Sequence, residues 1–172
     1  NELFWPSKNI ELFYETTKEN INFLNLYEKN SNLMYVFEND KIKSALLKEI
    51  SKKKIRLIQK NVKNLNELKN YELIILCLGG ESGIYEKIIK ARAIKKNYKE
   101  IAVTGYVKHK FKIVNTSQFF LKEGPLAILP FSNNYFSYVW SLKKTFYTNN
   151  SKKINNLVKN KILEIFKTKK SI

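Results

Sequence analysis

Apolar residues crowd into positions 126–131 and again into 135–140, with Ser132-Asn133-Asn134 between them. Both arms are rich in β-branched and aromatic side chains, and Asn tolerates the positive φ that tight turns use, so the stretch predicts a β-hairpin. In the second arm Tyr135, Ser137 and Val139 alternate with Phe136, Tyr138 and Trp140. Large side chains on both faces mean that both faces need cover. Pro125 and Pro130 lack a ladder donor, which places them at a strand start and at an edge, end or bulge.

The rest of the chain follows the same logic. Residues 10–14 and 21–27 predict another hairpin connected near Glu19-Asn20, and 34–37 a short strand. Residues 101–107 read as a strand in which Gly105 marks a bulge or a close approach. After a charged turn at 108–112, 113–114 with 118–121 continue a meander into the hairpin. Ile42, Ala45, Leu46 and Ile50 recur at helical spacing behind an Asn39-Asp40 N-cap, which predicts a helix over 40–52. Ile154, Leu157, Val158, Ile162, Ile165 and Phe166 form one stripe of a second helix, 151–167, with a basic opposite face. That stripe either packs on the sheet or lies on a membrane surface. Between these parts, 53–62 reads as a strand through Ile55, Leu57 and Ile58, and 65–70 as a turn. The continuous apolar run 71–78 reads as a strand buried on both faces, closed by Gly79-Gly80. A short helix around Ile84, Ile88 and Ile89 and a basic loop ending at Lys96 follow. The fold class is α/β in the α+β sense, a mostly antiparallel sheet with flanking helices joined to part of an α/β domain.

Composition sets the limits. A chain of 172 residues, 44% hydrophobic and 13% aromatic, can build one core. Its net charge of +17 suggests anionic partners, yet only Arg56 and Arg92 are arginines and the other basic residues are lysines. Phosphate and base recognition favours the planar fork of Arg, so nucleic acid is disfavoured. Compositional drift and a basic surface for a membrane or an acidic partner both remain open. Cys77 is the single cysteine, within an apolar run, and reads as a small buried hydrophobe in a reducing compartment. His109 is the single histidine; with one distant Cys it makes no zinc site, and no dyad partner stands out. Paired glycines after a strand and before a helix could cradle a phosphate, or form a plain turn.

Four segments carry a resemblance. Gly124-Pro125-Leu126-Ala127-Ile128-Leu129-Pro130 with the following strand ending in Val139-Trp140, Tyr35-Val36-Phe37-Glu38-Asn39 with Ile42, Ala45, Leu46 and Leu47, Tyr98 to Val103, and Asn115 to Phe120 occur in this order. They resemble segments of the FAD-dependent aromatic-ring hydroxylases (monooxygenases) of ubiquinone biosynthesis. The match covers roughly residues 35–140. It departs from that family where an Ala-Asp-Gly motif with a later Ser and Arg is found: here stand Leu78-Gly79-Gly80, Gly83 and Glu86, so only Gly80 survives. Glu86 in place of a cation reverses the local charge near a diphosphate.

The resemblance implies a parent protein in which NAD(P)H reduces FAD and O2 hydroxylates the aromatic ring of a polyprenylated ubiquinone precursor. It implies Gly79 and Gly80 as a degenerate cofactor-binding motif, and Gly124, Pro125, Leu126, Ile128, Leu129 and Pro130 as apolar wall on the substrate side. No catalytic acid, base or nucleophile and no metal ligand is identified. The expected division is 1–34 as a substrate-side β segment, 35–97 as a partial FAD-binding portion, 98–150 as the substrate-domain sheet, and 151–172 as a basic amphipathic helix. The chain begins with Asn rather than Met and lacks both the G-x-G-x-x-G opening and the later G-D segment of such proteins, so an interior fragment or diverged paralogue, inactive alone, is expected. The alternative is a noncatalytic basic module that binds a membrane surface or other ubiquinone-biosynthesis proteins. The expected location is cytoplasmic, including the periphery of the inner membrane.

Overall fold

Alternating side chains build a six-stranded sheet in the computed structural model, which describes residues 3–77, 96–110 and 115–169. Numbered along the chain, the strands are β1 (Trp5–Ser7), β2 (Asn9–Glu15), β3 (Asn20–Tyr27), β4 (Met34–Val36), β5 (Glu100–Lys108), β6 (Thr116–Leu121), β7 (Gly124–Ser132) and β8 (Tyr135–Lys143). The large sheet has the order β3-β2-β6-β7-β8-β5, while β1 and β4 pair as a separate ribbon. All neighbours are antiparallel except β2 and β6, which run parallel. The helices are α1 (Asn39–Lys52), α2 (Lys144–Asn150) and α3 (Ile154–Lys169), with a 3-10 turn, Ser151–Lys153, joining the last two.

One face of the sheet is the core. Phe136, Tyr138, Trp140 and Leu142 of β8 stand beside Leu126, Ile128 and Pro130 of β7, then Phe119 and Leu121 of β6 and Phe13 of β2. Across them lies α3, whose Ile154, Val158, Ile162 and Ile165 are buried in the same cluster. The expected stripe of the C-terminal helix is therefore consumed by the sheet rather than offered to a membrane. Each such side chain is worth about 1.5–3 kcal/mol when fully buried, so this layer dominates the fold's stability.

The hairpin over β7 and β8 forms as the pattern predicts, but its turn uses another device. Neither Asn133 nor Asn134 has a positive φ. Instead the register shifts between Pro130 and Ser132, making Phe131 a bulge that supplies the extra twist beside a proline that cannot donate to the ladder. The hairpin over β2 and β3, the short β4, β5 and α1 also stand where the pattern puts them. β5 runs through Gly105 in unbroken register with β8, so that glycine marks a close approach and not a bulge.

The chain divides into two compact units, one made of Asn1–Leu47 and Tyr98–Ile172, the other of Lys48–Asn97. In the second unit, two expected strands are absent from the described residues: 53–62 and 71–77 are irregular chain around a 3-10 turn, Leu65–Leu68. A strand exists only by pairing, and no described strand pairs with either run. Lys54 takes the left-handed conformation (φ 54°) and the Ile55 N–H donates to the Ile50 carbonyl at 3.1 Å, which stops α1. The apolar run meant to be buried is open instead: Leu73 and Ile75 are each 77% exposed, and Cys77, expected to be buried, is exposed with them. The expected phosphate-side glycines and the helix after them lie outside the described residues, as does the 113–114 strand.

Candidate functional site

The face of the sheet turned away from α3 carries the candidate site. Period-two alternation sends Thr104 and Tyr106 of β5 and Ser137 and Val139 of β8 to that face, and the register pairs Thr104 with Val139 and Tyr106 with Ser137. These four side chains, with Phe131 and the β4–α1 junction at Val36-Phe37-Glu38-Asn39, border a cleft of about 310 Å³. The bulge at Phe131 turns its ring edge-on to Tyr106 at 5.6 Å and stacks it on Tyr135 at 6.1 Å. The Lys108 ammonium lies 5.8 Å from the centre of the Tyr135 ring. Ser137 Oγ donates to the Leu129 carbonyl at 3.4 Å. Glu38 pairs with Lys41 on the first turn of α1.

Such a lining offers flat aromatic surface together with hydroxyls that both donate and accept. It suits a planar ring bearing a polar substituent. The sequence pattern found the alternation in β8 but not the cleft, because Thr104 and Tyr106 become neighbours of Ser137 only through the β5–β8 pairing.

The expected wall residues divide between the two faces. Leu126, Ile128 and Pro130 are buried against α3, so they are core and not wall; on β7 it is Leu129, together with Ala127, that lies on the cleft's side. Successive residues of a regular strand face opposite sides of the sheet, so the expected wall residues of β7 do not all share one face. Pro125 is exposed opposite Phe120 at the start of β7. Gly124 has φ +136°, and a Cβ there would stand 2.0 Å from the Ser141 carbonyl oxygen, while its own carbonyl accepts the Trp140 indole N–H at 3.1 Å. The glycine of this motif thus locks β7 against β8. Gly79 and Gly80, with Gly83 and Glu86, lie outside the described residues.

The remaining chemistry-bearing groups serve the scaffold. His109 is buried, with its ring 5.2 Å from that of Phe136, and its backbone N–H donates to the Asn134 carbonyl. Lys161 of α3 donates to Glu15 at 2.9 Å and has Glu164 at 3.6 Å and Glu123 at 3.8 Å, and the Lys122 N–H donates to Glu15 at 2.7 Å. Burial alone would raise the Glu15 carboxyl, but the hydrogen bonds from Lys122 and Lys161 and their charges outweigh it and hold the group below its ordinary range. Burial alone would lower Lys161, and its three carboxylates outweigh that to push it up. Burial raises the Tyr138 phenol.

No protein-family model and no curated protein matches this chain. Among the described residues, no helix is long and apolar enough to cross a membrane.

Proposed function

We propose that this chain is a segment of a flavin-dependent monooxygenase that hydroxylates the aromatic ring of a polyprenylated ubiquinone precursor with NAD(P)H and O2. One observation carries the reading. Two of the segments singled out by resemblance, Tyr35 to Asn39 and the strand ending in Val139-Trp140, are a hundred residues apart in sequence, yet both border the same aromatic and hydroxyl-lined cleft.

In this reading FAD supplies the oxygen chemistry when bound, and the chain's own residues position the ring and exclude water. Phe131 and Tyr106 offer ring surface, Val36 and Val139 apolar lining with Leu129 directly across the ladder from Ser137, and Thr104, Tyr106 and Ser137 hydroxyls a hydrogen bond to a phenolic oxygen. The exposed apolar chain in the second unit, above all Leu73 and Ile75, favours a segment that belongs to a longer parent.

The test is to express the complete reading frame that contains these residues and purify its product. Retention of FAD and NAD(P)H-dependent gain of one oxygen atom by a prenylated phenol, read by mass spectrometry, supports the reading. A full-length product that neither retains flavin nor oxygenates the phenol overturns it.

A further inference from the structure

The two edges of the six-stranded sheet are unlike. β3 carries a bulge, since Leu12 pairs with Leu24 and Phe13 with Asn22 while Phe23 is passed over, and a bulged edge twists away from a flat neighbour. β5 runs nine residues in unbroken register with β8, without proline or charge in its interior, and among the described residues no strand lies on its outer side. Its backbone groups divide by parity. The Lys144 backbone N–H donates to the Lys99 carbonyl at 2.8 Å and the His109 backbone N–H to the Asn134 carbonyl at 2.9 Å, at either end of one ladder. Odd-numbered residues of β5 therefore turn N–H and C=O toward β8, and Glu100, Ala102, Thr104, Tyr106 and Lys108 turn theirs outward. All five are exposed, Tyr106 at 72%.

Laid antiparallel against a second copy about Thr104, this strand complements itself. Glu100 of one copy stands opposite Lys108 of the other at both ends, Tyr106 stands opposite Ala102, and Thr104 meets its own equivalent. Each of these is a pair of outward-turned residues, so each exchanges two backbone hydrogen bonds. On the α3 side Ile101 meets Val107 and Val103 meets Gly105, which carries the half-buried margin of the core across the joint. A slip of two residues sets Tyr106 against Glu100, or Lys108 against Ala102, and parts the opposite charges. Neither charge has an ion-pair partner within its own chain among the described residues. A uniformly acidic or basic strand from another protein would suit one end of this edge and be repelled by the other. We propose that β5 is the edge through which two copies of this chain pair, joining their sheets into one and setting their clefts side by side on the same face. Ala102 and Thr104 of the second copy then adjoin Tyr106 and Thr104 at the rim of the cleft. The pairing goes beyond the hydroxylase reading and does not rest on it, because it uses the backbone and end charges of the edge.

Sedimentation velocity of the purified full-length protein measures the association, and a concentration-dependent dimer is expected. Glu100→Lys and Lys108→Glu should each weaken it about tenfold or more, because either change sets like charges opposite each other at both ends. An equimolar mixture of those two variants should recover the dimer as a mixed pair, and so should the double variant. Thr104→Pro should abolish it with circular dichroism unaltered, since an outward N–H on an edge is where a strand accepts proline. A protein that stays monomeric at about 0.1 mM overturns the proposal, including the case in which a segment of a longer parent already covers β5. So does a dimer that none of these variants weakens, which would rest on another surface. Single variants that weaken the dimer without recovery on mixing also overturn it, and that comparison stands even if Thr104→Pro fails to fold. The readout needs neither flavin nor substrate, so failure of the hydroxylase reading shows separately, as absent FAD and absent oxygenated product.

Discussion

A Cβ on Gly105 would lie 2.6 Å from the Tyr138 hydroxyl oxygen and 2.9 Å from two carbons of its ring. The two residues are cross-strand partners, so the phenol rests directly on the β5 backbone. Gly105→Ala is therefore expected to cost about 1–3 kcal/mol through overpacking, more than the ~0.4–1 kcal/mol that a restricted unfolded chain returns. Adding Tyr138→Phe removes the shortest contact but leaves the ring carbons, so rescue should be partial. Chemical denaturation of the single and double variants measures the coupling; full additivity would mean that the glycine serves some other need.

The Trp140 indole and the Gly124 carbonyl make a second test of backbone fit. Trp140→Phe keeps a ring in the core but leaves that carbonyl without its 3.1 Å donor, at an expected cost of about 1–3 kcal/mol. Gly124→Ala should cost about 3 kcal/mol or more, because its Cβ would meet the Ser141 carbonyl, which is backbone and cannot swing aside, at a φ that L side chains rarely adopt. Thermal melts that rank Gly124→Ala as milder than Trp140→Phe would contradict this geometry.

Local pattern carried much of this fold. The β7–β8 and β2–β3 hairpins, β5, α1 and α3 were legible because each is specified by its own alternation or stripe. The site was legible only in part. Leu126 and Leu129 look alike in sequence, and only the packing of α3 decides that Leu126 is core while Leu129 faces the cleft's side. The runs 53–62 and 71–77 failed for a related reason, since apolar content marks a potential strand but its partner must come from elsewhere. Cys77 followed the fate of its run. The cleft needed Thr104 and Tyr106 to find Val139 and Ser137 across a pairing more than thirty residues distant in sequence.

Lys161 and Glu15 predict how stability depends on pH. Glu15 is held below its ordinary value of 4.5, so its contribution is present above that value and is lost as pH falls through the lower folded-state value. Lys161 is raised above 10.5, so its contribution is present below that value and is lost as pH climbs through the higher folded-state value. Stability should thus be flat with respect to this pair through the neutral range and decline at both extremes. Lys161→Met is expected to cost about 1.5–3 kcal/mol near neutrality, as loss of a charge-assisted hydrogen bond does, and to make the acid decline shallower. Denaturation midpoints measured across pH decide the matter: an unchanged acid decline in the variant would show that Glu15 does not depend on this lysine.

Leu126 and Leu129 separate the stability of the sheet from the work of its open face. Leu126 is fully buried against α3, so Leu126→Ala should cost about 2–5 kcal/mol. Leu129 is half-buried and on the cleft's side, so Leu129→Ala should cost under about 2 kcal/mol, the smaller loss following from the area it still leaves to solvent. If the proposed reading holds, the second variant of the full-length protein should show a several-fold higher KM for a prenylated phenol at nearly unchanged thermal stability. The first should lower the melting temperature and, below that temperature, leave KM close to that of the unsubstituted protein. A reversal, with KM responding to Leu126→Ala and stability to Leu129→Ala, would put the substrate on the α3 side and exclude the cleft as the ring's site.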